Sequence, residues 1–389
     1  MCDEKKQILF VCYGLDIGGI EKCLVNLLNI MPDKYNIDVL LMNPYYTLKK
    51  QIKRNVCFLN EFDYVMNIED TLSEIKKRSG ILHNLEMFVS YCNFRLRIKL
   101  HKNAWVGFKK LPKQYDVAIA YSHHDFSPYY VIDKVNAKKK YLWYHNGAYE
   151  QRGKRYERDK KYYALFDKVV AVSTDCARVL NEKFEFRDGQ LIVLKNICDS
   201  SDILIKATEE MDEPFEQGYF HIVTVGRMTV EKGALMAVAA CKQICSQGYN
   251  IRWHWIGDGN QMDSVKEEIK NSDVGNIFIL EGSKENPYPY IKAADLYVQP
   301  SLYEAYSTTI TEAKVLQKPI VTTDVGGMRD QLKSDENGLI VSCNPTDIAK
   351  AVVYLIDNPN KRNAFCDELR KEDFSPDKSF RSYEKQIFS

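Results

Sequence analysis

No charge of either sign dominates this sequence. Its 389 residues hold 54 lysines and arginines against 53 aspartates and glutamates, a formal net charge of +1. Without a net field nothing draws nucleic acid from a distance, and no nucleic-acid partner is expected. No apolar run is long enough to span a bilayer. The opening residues, MCDEKKQ, are charged and lead straight into a strand, unlike a secretory signal. Eleven cysteines are scattered with no Cys-x-x-Cys pair. That suits free thiols in a reducing cytosol better than a disulfide framework. Cys241 and Cys245 lie four apart on a helix with no clustered partner ligands, so buried small hydrophobes are the simpler reading. Asp-x-Asp occurs nowhere, which removes the usual carboxylate pair for a metal-held nucleotide. The first glycine loop lacks G-x-G-x-x-G, so a nicotinamide or flavin gains no support. No resident metal or cofactor is expected.

What is present is a pattern that runs twice. Apolar runs of buried-strand length occupy residues 7–13, 38–42, 116–121, 140–144, 168–172 and 191–194. Residues 52–58 are a doubtful strand and 68–77 a helix candidate. Residues 199–218 are polar and acidic and read as a linker. The strands then restart at 221–225, 251–256, 277–280, 296–298 and 320–323, with helical segments between them. Alternation of this kind predicts two doubly wound, Rossmann-like α/β domains facing across a cleft. The divisions are 1–197, a linker at 198–218, 219–372, and a last helix at 373–389 that crosses back to the first domain.

Polar residues gather where strands end. Gly18 and Gly19 follow the first strand, His123 and His124 the strand at 116–121, His145 the strand at 140–144, and Asn196 the last strand of the first half. Neighbouring side chains diverge, so His123 and His124 do not make a metal pair. In the second half Arg227 and Lys232 follow the first strand, a fork and a point charge suited to a diphosphate. The stretch from Pro300 to Asp330 is a strand, a loop with Glu304, a helix opened by Ser307, Thr308 and Thr309, then Glu312, and a further strand. Eight residues of helix rise about 12 Å, whereas an acid/base pair needs roughly 5–9 Å. Glu304 and Glu312 therefore read as contacts to two ends of one long ligand, with a helix N-terminus for an anion between them. A surface-helix glutamate and an unrelated loop glutamate remain the plain alternative. In open α/β sheets ligands bind at this end of the strands.

One segment stands apart. Between residues 94 and 113 lie Arg95, Arg97, Lys99, Lys102, Lys109, Lys110 and Lys113, with apolar and aromatic residues interleaved and no acid. Such a segment can lie on an anionic membrane surface, or be a solvated helix face packed by its apolar side.

Taken in order, these features resemble the family-4 retaining glycosyltransferases of the two-domain B-type fold. Gly18-Gly19-Ile20-Glu21 resembles the family's N-terminal glycine loop, Trp143-Tyr144-His145-Asn146 its histidine strand end, and Lys195-Asn196 its interdomain turn. Gly226-Arg227 with Glu231-Lys232-Gly233 is similar to its phosphate pair, and Gly257-Asp258-Gly259 to its G-x-G turn. Glu304 through Glu312 matches its two-glutamate signature. The resemblance implies a nucleoside-diphosphate sugar, UDP- or GDP-linked, with a glycan or lipid-linked acceptor bound by the first domain. Arg227 and Lys232 would hold the diphosphate and Glu312 the ribose. The backbone from Ala305 through Tyr306 and Ser307 to Thr308 and Thr309 would face sugar and phosphate. Glu304 and His145 would serve the reacting sugar, and Gly282 and Lys284 the base. Ala305 and Ser307 stand where the family often has glycine. The implied role is surface-polysaccharide synthesis in the cytoplasm, peripheral on the inner membrane face. The rivals are a nucleotide-sugar epimerase or phosphorylase of the same architecture, and a non-catalytic accessory subunit.

Overall fold

The computed structural model describes residues 5–16, 18–42, 46–59, 96 and 104–388. It divides into two compact units. The first comprises Met1–Val172, Ala177–Lys195 and Phe380–Ser389, and the second Ser173–Cys176 and Asn196–Ser379.

The first unit is built on seven parallel strands: β1 (Lys6–Cys12), β2 (Tyr35–Leu41), β3 (Cys57–Phe58), β4 (Gln114–Ala120), β5 (Asn136–Tyr144), β6 (Lys168–Ala171) and β7 (Leu191–Val193). They lie in the order β3-β2-β1-β4-β5-β6-β7. Ile8, Leu9, Phe10 and Val11 are all fully buried, as expected of a parallel strand covered on both faces. The chain reverses its direction of winding between β1 and β4. The last residues belong to this unit: Tyr383 stacks on Trp143 at 5.5 Å, and its hydroxyl donates to the Lys195 carbonyl at 2.7 Å.

The second unit has six parallel strands: β8 (Phe220–Val225), β9 (Ile251–Ile256), β10 (Phe278–Gly282), β11 (Leu296–Gln299), β12 (Ile320–Thr323) and β13 (Leu339–Val341). Their order is β10-β9-β8-β11-β12-β13, so this sheet reverses between β8 and β11. Trp253 and Trp255 fill one face with the helices Ala234–Cys245 and Pro345–Asp357.

Three sequence readings need correction. Residues 200–206, taken as linker, form the helix Ser200–Lys206, capped by Asp199 accepting from the Asp202 amide at 3.0 Å. Ile203 and Ala207 enter the second unit's core beside Tyr290 and Ile310. A short, mostly polar stretch needs only one or two apolar anchors to dock. The second concerns two aromatics of the basic segment. Arg95, Arg97, Lys99 and Lys102 lie outside the described residues, as does the helix candidate at 68–77. Of the aromatics there, Trp105 and Phe108 face inward. Trp105 is fully buried, stacks on Tyr129 at 4.3 Å and donates to Asp133 at 2.7 Å. Both are core side chains, while Leu96 and Val106 of the same segment are exposed. Third, β13 passed unread because three apolar residues between polar neighbours carry too short a signal.

Candidate active site

In the second unit, the residues that follow β8 and β11 meet where the sheet's winding reverses. Gly226 and Arg227 leave β8, a tight turn spans Val230–Lys232, and Gly233 opens the helix Ala234–Cys245. Gly233 has φ of +71°, and a Cβ there would lie 1.9 Å from the Pro300 carbonyl oxygen. Only glycine lets the loop after β11 close onto this turn. The Leu302 amide then donates to the Glu231 carbonyl at 2.8 Å, and Glu304 is carried over Lys232.

The Lys232 ammonium donates to Glu304 Oε1 in a close ion pair, the two side chains 23% and 8% exposed. The same carboxylate oxygen accepts from Ser301 Oγ at 2.9 Å. Ser301 accepts from Gln299 Nε2 at 2.9 Å, while Gln299 Oε1 accepts from Tyr297 OH at 2.7 Å and Thr309 Oγ1 at 2.9 Å. This buried chain orients Glu304 from below. From the other side Gly326 closes on it, with φ of +48° and a Cβ position 1.6 Å from the Glu304 carbonyl oxygen.

The helix Thr308–Val315 begins beside this pair. Ser307 caps it, Oγ accepting from the Ile310 amide at 3.3 Å. The Ser307 amide, expected to face the ligand, is turned inward and donates to Gln331 Oε1 at 2.8 Å, while Gln331 Nε2 donates to the Ser307 carbonyl at 2.6 Å. Gln331 competes successfully because it lies buried directly against the cap. Ala305 and Glu312 are buried, whereas Tyr306, Thr308 and Thr309 are partly exposed. Arg227 is exposed. Gly282, with φ of +69°, ends β10, and Lys284 pairs with Asp212 at 2.7 Å above the Tyr290 ring. The hydrogen bond to Asp212, then that to Tyr290, holds the Lys284 ammonium well above its usual range. Asn196 opens the second unit, its Oδ1 buried without a hydrogen-bond partner.

In the first unit, Gly18 caps the helix Gly19–Ile30 in an extended conformation, with the Glu21 carboxylate folded over it. His145 follows β5. Its amide donates to His123 Nδ1 at 3.4 Å, and its ring lies 4.8 Å from the Tyr121 ring. Burial, aided by His124 and opposed by a hydrogen bond to the Tyr121 backbone, pulls the His145 pKa down to about 3. The ring is therefore neutral at neutral pH, with Nε2 buried and without a hydrogen-bond partner. Among the described residues no three His, Cys, Asp or Glu side chains gather as metal ligands.

The His145 shift carries a linkage consequence. Unfolded, the ring titrates near 6.5, so between that value and about 3 the unfolded chain binds the extra proton. Stability contributed by the neutral ring is present above pH 6.5 and lost on acidification, at up to about 1.4 kcal/mol per pH unit. Denaturant unfolding between pH 7 and 5 should show a shallower slope for His145→Asn than for the wild type. An unchanged slope would refute the assignment.

Sequence reading missed Gln299, Ser301 and Gln331. Gln299 had a signal, a lone amide ending an apolar strand. Gln331 had none, since its partner lies 24 residues away.

Residues 206–372 match the family described as "Glycosyl transferases group 1". Several curated proteins are similar over part of their length. An uncharacterized glycosyltransferase of Methanocaldococcus jannaschii is 22% identical over 55% of this chain and 57% of its own. The GPI3 subunit of phosphatidylinositol N-acetylglucosaminyltransferase from Saccharomyces cerevisiae is 24% identical over 48% of this chain and 42% of its own. A capsular polysaccharide biosynthesis glycosyltransferase, CapM, of Staphylococcus aureus is 25% identical over 57% of this chain and 64% of its own. The chain thus spans about half the length of the curated relatives it matches. Solved structures cover nearly all of it. Anabaena HepE in complex with UDP and glucose superposes with TM-score 0.71 at 16% identity, over 99% of this chain and 100% of that one. S. aureus TarM does so with TM-score 0.70 at 14% identity, over 99% of each. The fold is the two-domain, parallel-sheet α/β fold of the B-type glycosyltransferases, as the sequence led one to expect.

Proposed function

We propose that this chain, whose second half matches the group 1 glycosyltransferases, is a retaining glycosyltransferase. It moves a sugar from a nucleoside-diphosphate sugar to a glycan or lipid-linked acceptor in surface-polysaccharide synthesis, in the cytoplasm and peripheral on the inner membrane face. The observation that carries the reading is the contact of Lys232 with Glu304 at the β8–β11 reversal. A cation and an acid on adjacent strand ends match a ligand that is anionic at one point and hydroxylated at the next.

On donor binding Lys232 exchanges Glu304 for a phosphate oxygen and, with Arg227, neutralises the departing diphosphate. Glu304, released, accepts from hydroxyls of the sugar. Glu312 holds the ribose, and Ala305 to Thr309 line the sugar and phosphate. The bond from the anomeric carbon to the diphosphate oxygen breaks. The acceptor oxygen attacks from the face the diphosphate leaves, and a phosphate oxygen takes the acceptor proton.

UDP is named with several of the similar structures and is the first nucleotide to try. Thermal unfolding with UDP, GDP, ADP and CMP, each with and without chelator, tests the site. At about 100 times its dissociation constant the right nucleotide stabilises by roughly 2.7 kcal/mol, and chelator leaves the shift unchanged. A midpoint that no nucleotide moves would overturn the reading. Loss of the shift with chelator would overturn the metal-free diphosphate site.

A further inference from the structure

His221, His254 and Glu281 form a row across the second sheet, outside the pair just described. In register, His221 pairs with Arg252, and His254 with Ile279. Each successive side chain of the row therefore sits two residues further along its strand and on the same face. β10 shifts register between Leu280 and Gly282, which places Glu281 in a bulge, and a bulge re-aims the side chain it carries. The row is hydrogen-bonded end to end. His221 Nε2 lies 2.7 Å from the Glu216 carbonyl oxygen, and His221 Nδ1 lies 3.0 Å from His254 Nε2. His254 Nδ1 lies 2.8 Å from Glu281 Oε1. Phe215 stacks on both rings, at 4.6 and 4.1 Å.

The bonds fix the protons. A carbonyl only accepts, so His221 Nε2 carries one. Burial holds the His221 imidazole below its usual range, which leaves it neutral with Nδ1 as an acceptor. His254 Nε2 must then donate. A neutral His254 would present a bare Nδ1 to a carboxylate oxygen, two acceptors face to face.

We propose that His254 is an imidazolium bonded to the Glu281 carboxylate, so that the row holds three protons on four ring nitrogens, and that it pins the β10 bulge and thereby positions the Gly282–Lys284 turn. That this turn serves the nucleotide base rests on the glycosyltransferase reading; the proton count does not. The surrounding charges are few. Asp295 accepts from the His221 amide at 2.8 Å and favours a positive row. Arg252 opposes it but is drawn off to Glu216 at 3.5 Å and to the face of Tyr219. Lys284 is held by Asp212, with Tyr290 beside it. The Gly257 amide donates to the Gly282 carbonyl at 2.8 Å, so movement of the bulge is passed to the turn.

Glu281→Gln is the informative change. The amide it introduces donates to a neutral His254 Nδ1, closing the row with two ring protons. In the intact protein labelled with ¹⁵N-histidine, three of the four ring nitrogens of His221 and His254 should be protonated at pH 7, against two in E281Q. As the pH is raised, the Gly282 amide resonance should move in step with loss of the third ring proton in the wild type and stay still in E281Q. Affinity for UDP should fall about tenfold as that proton is lost in the wild type, the loss of one charge-assisted bond, and stay flat in E281Q. Two protonated nitrogens in the wild type would overturn the row. A Gly282 resonance that ignores pH, or that moves equally in both proteins, would overturn the positioning role. Absence of UDP binding in both would sink the donor reading alone, because the resonance measurements need no nucleotide. The wild-type resonances decide the matter even if the variant fails to fold.

Discussion

Lys232→Met should cost the protein stability and nucleotide binding together. The Glu304 side chain is 8% exposed and shares one carboxylate oxygen between Lys232 and Ser301. Removing the cation leaves a carboxylate that is desolvated and bonded only to a hydroxyl. Breaking a buried pair in this way costs about 3–5 kcal/mol, or a fall in melting temperature of roughly 2–4 °C per kcal/mol. On the proposed function the same change removes a charge-assisted bond to the diphosphate, about 1.5–3 kcal/mol, so affinity for the nucleotide drops roughly 10- to 100-fold. The two losses separate in a second variant. Lys232→Met combined with Glu304→Gln removes the stranded charge and should recover most of the stability while binding stays weak. If calorimetry finds the single variant as stable as the wild type, the pair is not the buried contact described. If titration finds nucleotide affinity unchanged, Lys232 does not hold the diphosphate.

Gly326→Ala is expected to slow sugar transfer far more than it weakens nucleotide binding. The residue lies at φ of +48°, where an L side chain is strained, and its Cβ would sit 1.6 Å from the Glu304 carbonyl oxygen. The left-handed conformation alone costs about 1–2 kcal/mol. The overlap is with backbone, so no side-chain rotation relieves it, and the segment carrying Glu304 has to withdraw. A displacement of about 1 Å at a positioning group can cost roughly 100-fold in rate. Arg227 and Lys232 sit on the other strand end, so nucleotide affinity should fall less than the transfer rate. Sugar-transfer rates measured beside UDP affinity test this. A variant that transfers sugar at the wild-type rate would show that Glu304 need not be held where Gly326 holds it.

The fold was readable because most of the parallel strands carry an apolar run that ends at glycine or a polar exit, and a doubly covered strand tolerates little else. Residues 7–13 and 221–225 are such runs, and both became strands beside a winding reversal. The candidate site was partly readable for the same reason: ligand-facing residues follow strands directly, as Arg227, Lys232 and Glu304 do. What could not be read depended on partners distant in sequence. The Ser307 amide was open to the ligand on paper, but Gln331 occupies it. Lys232 and Glu304, expected to serve different parts of one ligand, bond to each other. The helix Ser200–Lys206 hid behind acidic composition because Ile203 alone carries most of its docking. His221 and His254 looked like ordinary strand residues, and only the register between β8, β9 and β10 brings them into line.

The chain's last turns bear on how it is made. Phe380, Tyr383, Ile387 and Phe388 are buried in the first unit, with Phe388 5.4 Å from the Tyr35 ring and Lys6 donating to the Phe388 carbonyl at 2.9 Å. A ribosome releases residues 1–195 long before it reaches 380. Domains usually fold in the order they emerge. Here the first sheet waits, its Trp143 face uncovered, while the whole second unit is synthesised and can close first. The half that begins earliest is thus the half that finishes last, and a nascent chain stalled anywhere before residue 380 presents that uncovered aromatic face to whatever chaperone attends the tunnel exit.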